Sequence, residues 1–408
     1  MFHCYLLIYL LNERDYNMKE LIFLDEKALA PAGGPLGVGY YIYNEAKKAG
    51  DQEIEFLKSS DKKKKRETKQ KKLLYKFPRL TLFVRSLRHI REYRQMLYSP
   101  TLDSGIFKDY DIVHFHSTMD MYKQRESLKG FNGKTIITSH SPIPLSQELY
   151  AACATCFERR FFKKRMSEFE EMDRWCFLNA DYIIFPCPEA EEPYYNNWAD
   201  YKNIKEKKKD SYRYVLTGIS PKKALLAKDE IRDKYDIGRN DFIVVYVGRH
   251  NEVKGYGNLK EIGQKMLDQK TNIKFLIAGK EGPISKLENP NWIEVGFTKD
   301  PYSIIAAGDV FLLPNNETYF DLVFIEVMSL GKIIVASRTG GNRYYEKAGA
   351  KGVFLYDTLE EARAIIERIR IMSLDEKLVL EKANKEFYEN NLTGKVFYEN
   401  YKKIISGL

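Results

Sequence analysis

Phe242-Ile243-Val244-Val245-Tyr246-Val247-Gly248-Arg249-His250-Asn251-Glu252-Val253-Lys254-Gly255 sets the reading of this chain. Six apolar residues, β-branched or aromatic, run without interruption into a glycine, and two cations follow within the next six positions. Such a run reads as a strand buried on both faces, as in a parallel sheet covered by helices. The glycine permits a sharp turn at the strand end. Arg249 and Lys254 then place two fixed positive charges over the rim of the sheet, where they can neutralise a diphosphate.

The unit recurs in both directions. Downstream lie apolar runs at residues 274–278, 292–295, 310–313, 333–336 and 353–356, most of them ending at glycine, proline or serine. Upstream lie runs at 21–24, 112–115, 135–138, 182–185 and 214–216. The first of these leads into Ala32-Gly33-Gly34-Pro35-Leu36-Gly37 and a helical stretch from about Gly39 to Lys48. The pattern predicts two alternating α/β units joined near residues 217–238, with a final helical stretch, 359–405, broken near Ser373 and Asn390.

A length of 408 residues suits two domains, and 44% hydrophobic with 30% charged residues suits globular domains with full cores. The expected division is 18–220 for the first domain, 221–385 for the second, and 386–408 for a helix returning toward the first. Met18 directly precedes the first strand, so residues 1–17 are expected to be an upstream-start extension. No run approaches the roughly 18 apolar residues a membrane helix needs. Five scattered cysteines make no disulfide framework, and the CxxC pair Cys153 and Cys156 lacks the second pair a zinc site requires. A reducing cytoplasm is the expected compartment.

The net charge of +9 is uneven. A basic run at 62–66 continues through Lys69, Lys71, Lys72, Lys76, Arg79, Arg85, Arg88, Arg91 and Arg94, among Leu73, Leu74, Phe77, Leu80, Leu82, Phe83 and Leu87. Cations mixed with apolar residues over 62–94 suit an anionic membrane surface. Nucleic acid is not the expected partner, because no recognised binding module surrounds the run.

Ligands of open parallel sheets bind beyond the carboxyl ends of the strands. Gly248, Gly279 and Gly296 each end a run there, and Phe297 follows the last of them. After residues 310–313 comes Pro314-Asn315-Asn316-Glu317-Thr318-Tyr319-Phe320-Asp321-Leu322-Val323-Phe324-Ile325-Glu326. This reads as a polar loop, then a helix from about Phe320 to Gly331 whose first amides and dipole can face phosphate. Glu326 lies near the face of Leu322 and Val323. A carboxylate on that apolar face needs partners, either two sugar hydroxyls or a structural cation.

Gly248-Arg249 with Lys254-Gly255, Ile277-Ala278-Gly279, and Phe320 through Glu326 to Gly331 together resemble retaining glycosyltransferases of family four. In the first half Gly33-Gly34-Pro35-Leu36-Gly37, Asp111-Ile112-Val113-His114-Phe115-His116 and Thr135-Ile136-Ile137-Thr138-Ser139-His140 are similar to the same family. The resemblance covers residues 18–400. It implies a GT-B fold, two Rossmann-like domains facing across a cleft, with C-terminal helices crossing back to the first.

The implied activity is transfer of a sugar from a nucleotide-diphosphate sugar, UDP-sugar above others, to a glycan acceptor with retention of configuration. Arg249 and Lys254 would hold the donor diphosphate and Glu326 the ribose. Gly34, Gly37, Gly248, Gly279, Phe297, Phe320, Leu322 and Val323 would line the donor site. His140 would face the donor sugar from the opposite domain, while His114 reads as structural. No cofactor or metal is implied.

One departure stands out. The family carries two glutamates eight positions apart, and the first of these places is Thr318. The glycine usual after the phenylalanine is Asp321. Either Glu317 reaches the donor sugar from a shifted loop, Asp321 substitutes, or a threonine contact suffices. Glu317 is the favoured choice, because a loop can shift by one residue without the roughly 100° rotation a helix imposes. A GT-B-like sugar-binding or regulatory partner without turnover is the alternative function.

Overall fold

In the computed structural model, residues 18–24, 29–31, 33–57, 78–102, 105–141, 143–269 and 272–408 are described. Residues 1–17, Ala32, and the basic run with Leu73, Leu74 and Phe77 lie outside them, as do the side chains of Pro78 and Arg79.

Among the described residues two six-stranded parallel sheets form, one per domain. The first comprises β1 (Glu20–Phe23), β2 (Ile54–Leu57), β3 (Ile112–Phe115), β4 (Lys134–Ile137), β5 (Tyr182–Phe185) and β6 (Tyr212–Tyr214), in the order β2-β1-β3-β4-β5-β6. The second comprises β7 (Phe242–Val247), β8 (Ile273–Ala278), β9 (Trp292–Gly296), β10 (Val310–Leu313), β11 (Ile334–Ser337) and β12 (Val353–Tyr356), in the order β12-β11-β10-β7-β8-β9. Every residue of β1, β3 and β10 is buried, as expected of strands covered on both faces.

The order reverses direction beside β7. Its two neighbours are β8, the next strand in sequence, and β10, reached only after β9. This is the topological switch point, where connections leave to opposite faces and open a crevice at the strand ends.

The helices that position the site are α1 (Pro35–Lys48), α2 (Pro78–Tyr98), α3 (Cys156–Lys163), α4 (Glu192–Asn197), α5 (Leu322–Ser329), α6 (Asn342–Lys347), α7 (Leu359–Ile371), α8 (Leu374–Asn391) and α9 (Gly394–Ser406). α1 starts at Pro35, four residues before the expected start near Gly39, because proline suits the first helical position. Gly37 therefore sits in the first turn of a helix rather than in a loop. The breaks in the C-terminal stretch are capped. Thr358 and Ser373 each form a capping box, with Glu361 and Glu376 respectively, and Thr393 Oγ1 accepts from Val396 N.

β2 is the strand that sequence patterning passes over. It is an edge strand with one fully buried position, Ile54, and three half-buried ones. The outgoing strand expected at 214–216 lies instead at Tyr212–Tyr214.

The two passages between domains run side by side. Ile219 N donates to Leu392 O at 2.9 Å, and Gly394 N donates to Ile219 O at 2.9 Å. α8 stays with the second domain, where Asn384 Nδ2 donates to the carbonyls of Lys332 and Gly352. α9 then packs on α1 of the first domain and buries Phe397, Tyr401 and Ile405.

Candidate functional site

At the switch point the turn after β7 lies directly against the turn after β10. Gly255 has φ +62°, and a Cβ there would stand 1.6 Å from Pro314 O, so only glycine fits. Asn316 fastens the contact: its N donates to Val253 O at 3.1 Å and its Nδ2 to Glu252 O at 2.8 Å. A second close approach, Gly279 against Gly248 O, brings the ends of β7 and β8 together.

On this frame Lys254 Nζ donates to both carboxylate oxygens of Asp321, each at 2.7 Å. Asn315 Nδ2 also donates to Asp321. Arg249, on the same turn as Lys254, is exposed, and its carbonyl accepts from the Tyr246 hydroxyl at 2.9 Å. Asp321 occupies the N-cap position of α5, but its side chain makes no capping hydrogen bond.

Glu326 lies on α5. Its Oε1 accepts from the Tyr302 hydroxyl at 3.1 Å and lies 3.5 Å from Lys222 Nζ. Burial raises this carboxyl above its ordinary range, against the opposing pull of Lys222 and Tyr302. Lys222 in turn donates to the Tyr41 hydroxyl on α1 at 3.0 Å. Glu326 thus has a structural cation already, and that contact falls on one oxygen.

The three candidates around the displaced glutamate separate clearly. Thr318 is buried with Oγ1 unpartnered, and its carbonyl abuts Gly340. Asp321 is held by Lys254. Glu317 faces the other domain: its Oε1 accepts from Asn197 Nδ2 of α4 at 3.1 Å, while buried Oε2 has no partner. Burial raises the Glu317 carboxyl; Asn197 opposes this and nearby Glu192 adds to it.

The remaining donor-side residues divide between core and surface. Phe320 is buried and stacks on Tyr345, with centroids 5.6 Å apart, so it serves the core. Leu322 and Val323 are half-buried at the start of α5. Phe297 is 80% exposed on the turn after β9. Gly34 stands at the N-terminus of α1, with open space where a Cβ would be.

Across the cleft lie three histidines, His114 within β3, His116 directly after it and His140 after β4. His116 Nδ1 and His140 Nε2 are 2.9 Å apart, with rings nearly parallel, and His114 stacks on His116 with centroids 4.2 Å apart. Burial lowers all three, His114 to about 3, so neutral imidazoles are the resting forms. The tautomer of His114 can be read from its neighbours. Tyr401 donates its hydroxyl proton to Glu20, so its oxygen accepts from His114 Nδ1 at 2.6 Å. His114 Nε2 then accepts from the Thr138 hydroxyl at 2.8 Å. With both ring nitrogens engaged, His114 is structural, as its position at a strand end suggests.

Tyr319, from the turn after β10, reaches the histidines; its ring centroid is 6.3 Å from that of His140 and 5.5 Å from that of Phe185. A cavity of ≈ 20 Å³ remains between the domains, lined by His116, His140, Tyr319 and Tyr401 among others. It has room for about one water molecule. At the cleft mouth Arg343 pairs with Glu192 at 2.7 Å and Lys347 with Glu189 at 2.6 Å.

Lys222, Tyr302 and Asn197 therefore belong to the site but carried no motif; each is a single residue brought in by the fold, with nothing in its local sequence to mark it. Asn315 and Tyr319 lie within the polar stretch singled out after residues 310–313, but no role was read for them there.

Residues 227–391 match the family model described as glycosyl transferases group 1. The capsular polysaccharide biosynthesis glycosyltransferase CapM of Staphylococcus aureus is 25% identical over 194 residues, covering 45% of this chain and 50% of CapM. The chain thus matches about half the length of that curated relative. Among solved structures, Anabaena HepE in complex with UDP-glucose superposes with a TM-score of 0.61 at 14% identity, over 96% of this chain and 100% of HepE. WaaG, a glycosyltransferase involved in lipopolysaccharide biosynthesis, gives 0.58 at 13% identity, over 96% and 100%. Residues 227–391 are thus similar to group 1 glycosyl transferases, and the two-domain chain has GT-B architecture.

Proposed function

We propose that the protein transfers a sugar from a nucleotide-diphosphate sugar to a glycan acceptor, with retention of anomeric configuration. The observation that carries this reading is the meeting of two turns at the β7–β10 switch point. There Lys254 reaches Asp321 at the start of α5, with Arg249 on the same turn as Lys254 and Glu326 further along the same helix. Arg249 and Lys254 take the diphosphate, and the free oxygen of Glu326 takes a ribose hydroxyl. Glu317 and His140 approach the sugar from opposite sides of the cleft.

In retaining transfer the acceptor attacks from the face the diphosphate leaves, and the leaving phosphate accepts the acceptor's proton. No strong protein base is then needed. The neutral histidines suit this, since they can donate hydrogen bonds without competing for that proton. Domain contact excludes water from the reacting centre. A UDP-sugar is the favoured donor, HepE having been solved with UDP-glucose. The CapM likeness favours a capsular or other cell-surface polysaccharide as product.

We place the protein in the cytoplasm, at the inner face of the membrane, where a lipid-linked acceptor would be presented. Among the described residues no helix is long and apolar enough to cross a membrane. α2 nevertheless exposes Leu80, Leu82, Phe83, Val84 and Leu87 beside Arg85, Arg88, Arg91 and Arg94. Phe83 meets exposed Phe157 of α3, which adds Arg159, Arg160 and Lys163 to the same surface. Apolar side chains rimmed by cations suit anionic lipid. Flotation with phosphatidylglycerol liposomes should succeed at low salt and fail at high salt; absence of salt-sensitive flotation removes this part of the proposal.

A thermal-shift screen of UDP-, GDP- and ADP-sugars tests the donor site, since a ligand bound only by the folded state raises the melting temperature. Transfer or hydrolysis of the hit then tests turnover. Stabilisation without turnover would instead support a sugar-binding or regulatory partner, a reading favoured by the neutralised state of Lys254.

A further inference from the structure

We infer that Asp321 is a built-in competitor for the anion at Lys254, so that donor binding exchanges the protein's own carboxylate for phosphate. This rests on the donor-site reading above and goes beyond it. An Asp at a helix N-cap ordinarily accepts from the amides of its own helix. Asp321 does not. Its carboxylate turns to Lys254 and engages the ammonium with both oxygens at 2.7 Å.

The pair is only partly open to solvent, with the lysine side chain 25% and the aspartate side chain 18% exposed. Its attraction and its repulsion of other anions are therefore screened less than at an open surface. The backbone beneath is fixed by the contact of Gly255 with Pro314 and by the Asn316 hydrogen bonds. Only the side chains are left to part.

A diphosphate approaching this crevice meets a cation already neutralised, with a negative charge beside it. For Lys254 to reach phosphate, Asp321 has to yield. Its alternative place is at hand, because rotation toward the first amides of α5 forms the missing cap. The exchange leaves both anions partnered, Asp321 by its helix and the phosphate by Lys254 and Arg249. Affinity for the charged portion of the donor is thereby set low by a residue of the enzyme itself. The nucleoside portion is untouched.

Calorimetric titration with inorganic pyrophosphate, UDP and uridine separates these effects in wild type, Asp321→Asn, Lys254→Gln and the double variant, each first checked for an unchanged fold by circular dichroism. Asp321→Asn should bind pyrophosphate and UDP at least about tenfold more tightly than wild type, with uridine unchanged. The gain should vanish when Lys254→Gln is added. Equal or weaker binding of pyrophosphate and UDP by Asp321→Asn overturns the inference, and so does a gain that persists without Lys254. If wild type binds and Lys254→Gln does not, the donor site stands even when the inference falls. If Lys254→Gln binds as wild type does, or no variant binds at all, the donor-site reading falls and the inference with it.

Discussion

Asn197, at the end of a helix in the first domain, donates to Glu317 in the second across 3.1 Å, while the other oxygen of Glu317 is buried without a partner. A carboxyl raised by burial and half-engaged at a domain boundary is poised to accept a hydrogen bond from a ligand. Glu317→Gln keeps the shape and the Asn197 contact, so it should fold normally yet lower kcat by about 100-fold. Steady-state kinetics with the donor found by screening measure this. Near-wild-type turnover in Glu317→Gln, together with loss in Asp321→Asn, would transfer the role to Asp321.

Glu20 predicts an unusual pH dependence of stability. Burial raises its carboxyl from 4.5 to about 7, despite the Tyr401 hydrogen bond and Lys402. Between these values the folded protein holds a proton that the unfolded chain has released, so stability falls as pH rises through this window, and the loss is complete above about 7. Buried His114, with its ring lowered to about 3, acts oppositely and penalises folding as pH falls below 6.5. Glu20→Gln removes only the first effect. Denaturant melts should find it more stable than wild type by about 2–3 kcal/mol at pH 8, with the difference nearly gone at about pH 4.

Tyr401→Phe removes the hydroxyl that joins His114 to Glu20. Two buried polar groups lose a partner, and stability should fall by about 1–3 kcal/mol in the same melts. An unchanged midpoint would show that the two groups repair the loss between themselves.

Glu326 is expected to act in two ways, and substitutions separate them. Glu326→Ala leaves Lys222, only 10% exposed, with no anion and only Tyr41 and the Tyr302 ring beside it, and should cost about 1–3 kcal/mol of stability. Glu326→Gln keeps a carbonyl for Tyr302 and should recover much of that stability. Both should weaken nucleotide binding about tenfold if Glu326 holds the ribose. Titration with UDP or the screened nucleotide provides the measurement.

The fold was legible where strands are buried on both faces. Residues 242–247 and 310–313 are continuous apolar runs because the sheet hides both of their sides. Residues 54–57 escaped the same reading because an edge strand buries only one of its positions fully, and Glu55 interrupts the run. The cations of the site were legible through their glycine-bounded turn, and Glu326 through its misfit on an apolar face. Their partners were not. Lys222 lies 104 positions before Glu326, and Asn197 lies 120 before Glu317. Sequence spacing carries no trace of such contacts. Nor did it reveal that Asp321 turns from its helix toward Lys254, which depends on two turns meeting over Gly255.

Helix α9 has a further consequence, for biosynthesis. Tyr401 completes hydrogen bonds to residues that precede it by 287 and 381 positions, and Phe397 and Ile405 fill the same core. A nascent chain that has emerged only through β6 lacks these pieces of its first domain. That domain finishes its interior only after the ribosome has synthesised the whole of the second, so the maturation of each half is bound to the other.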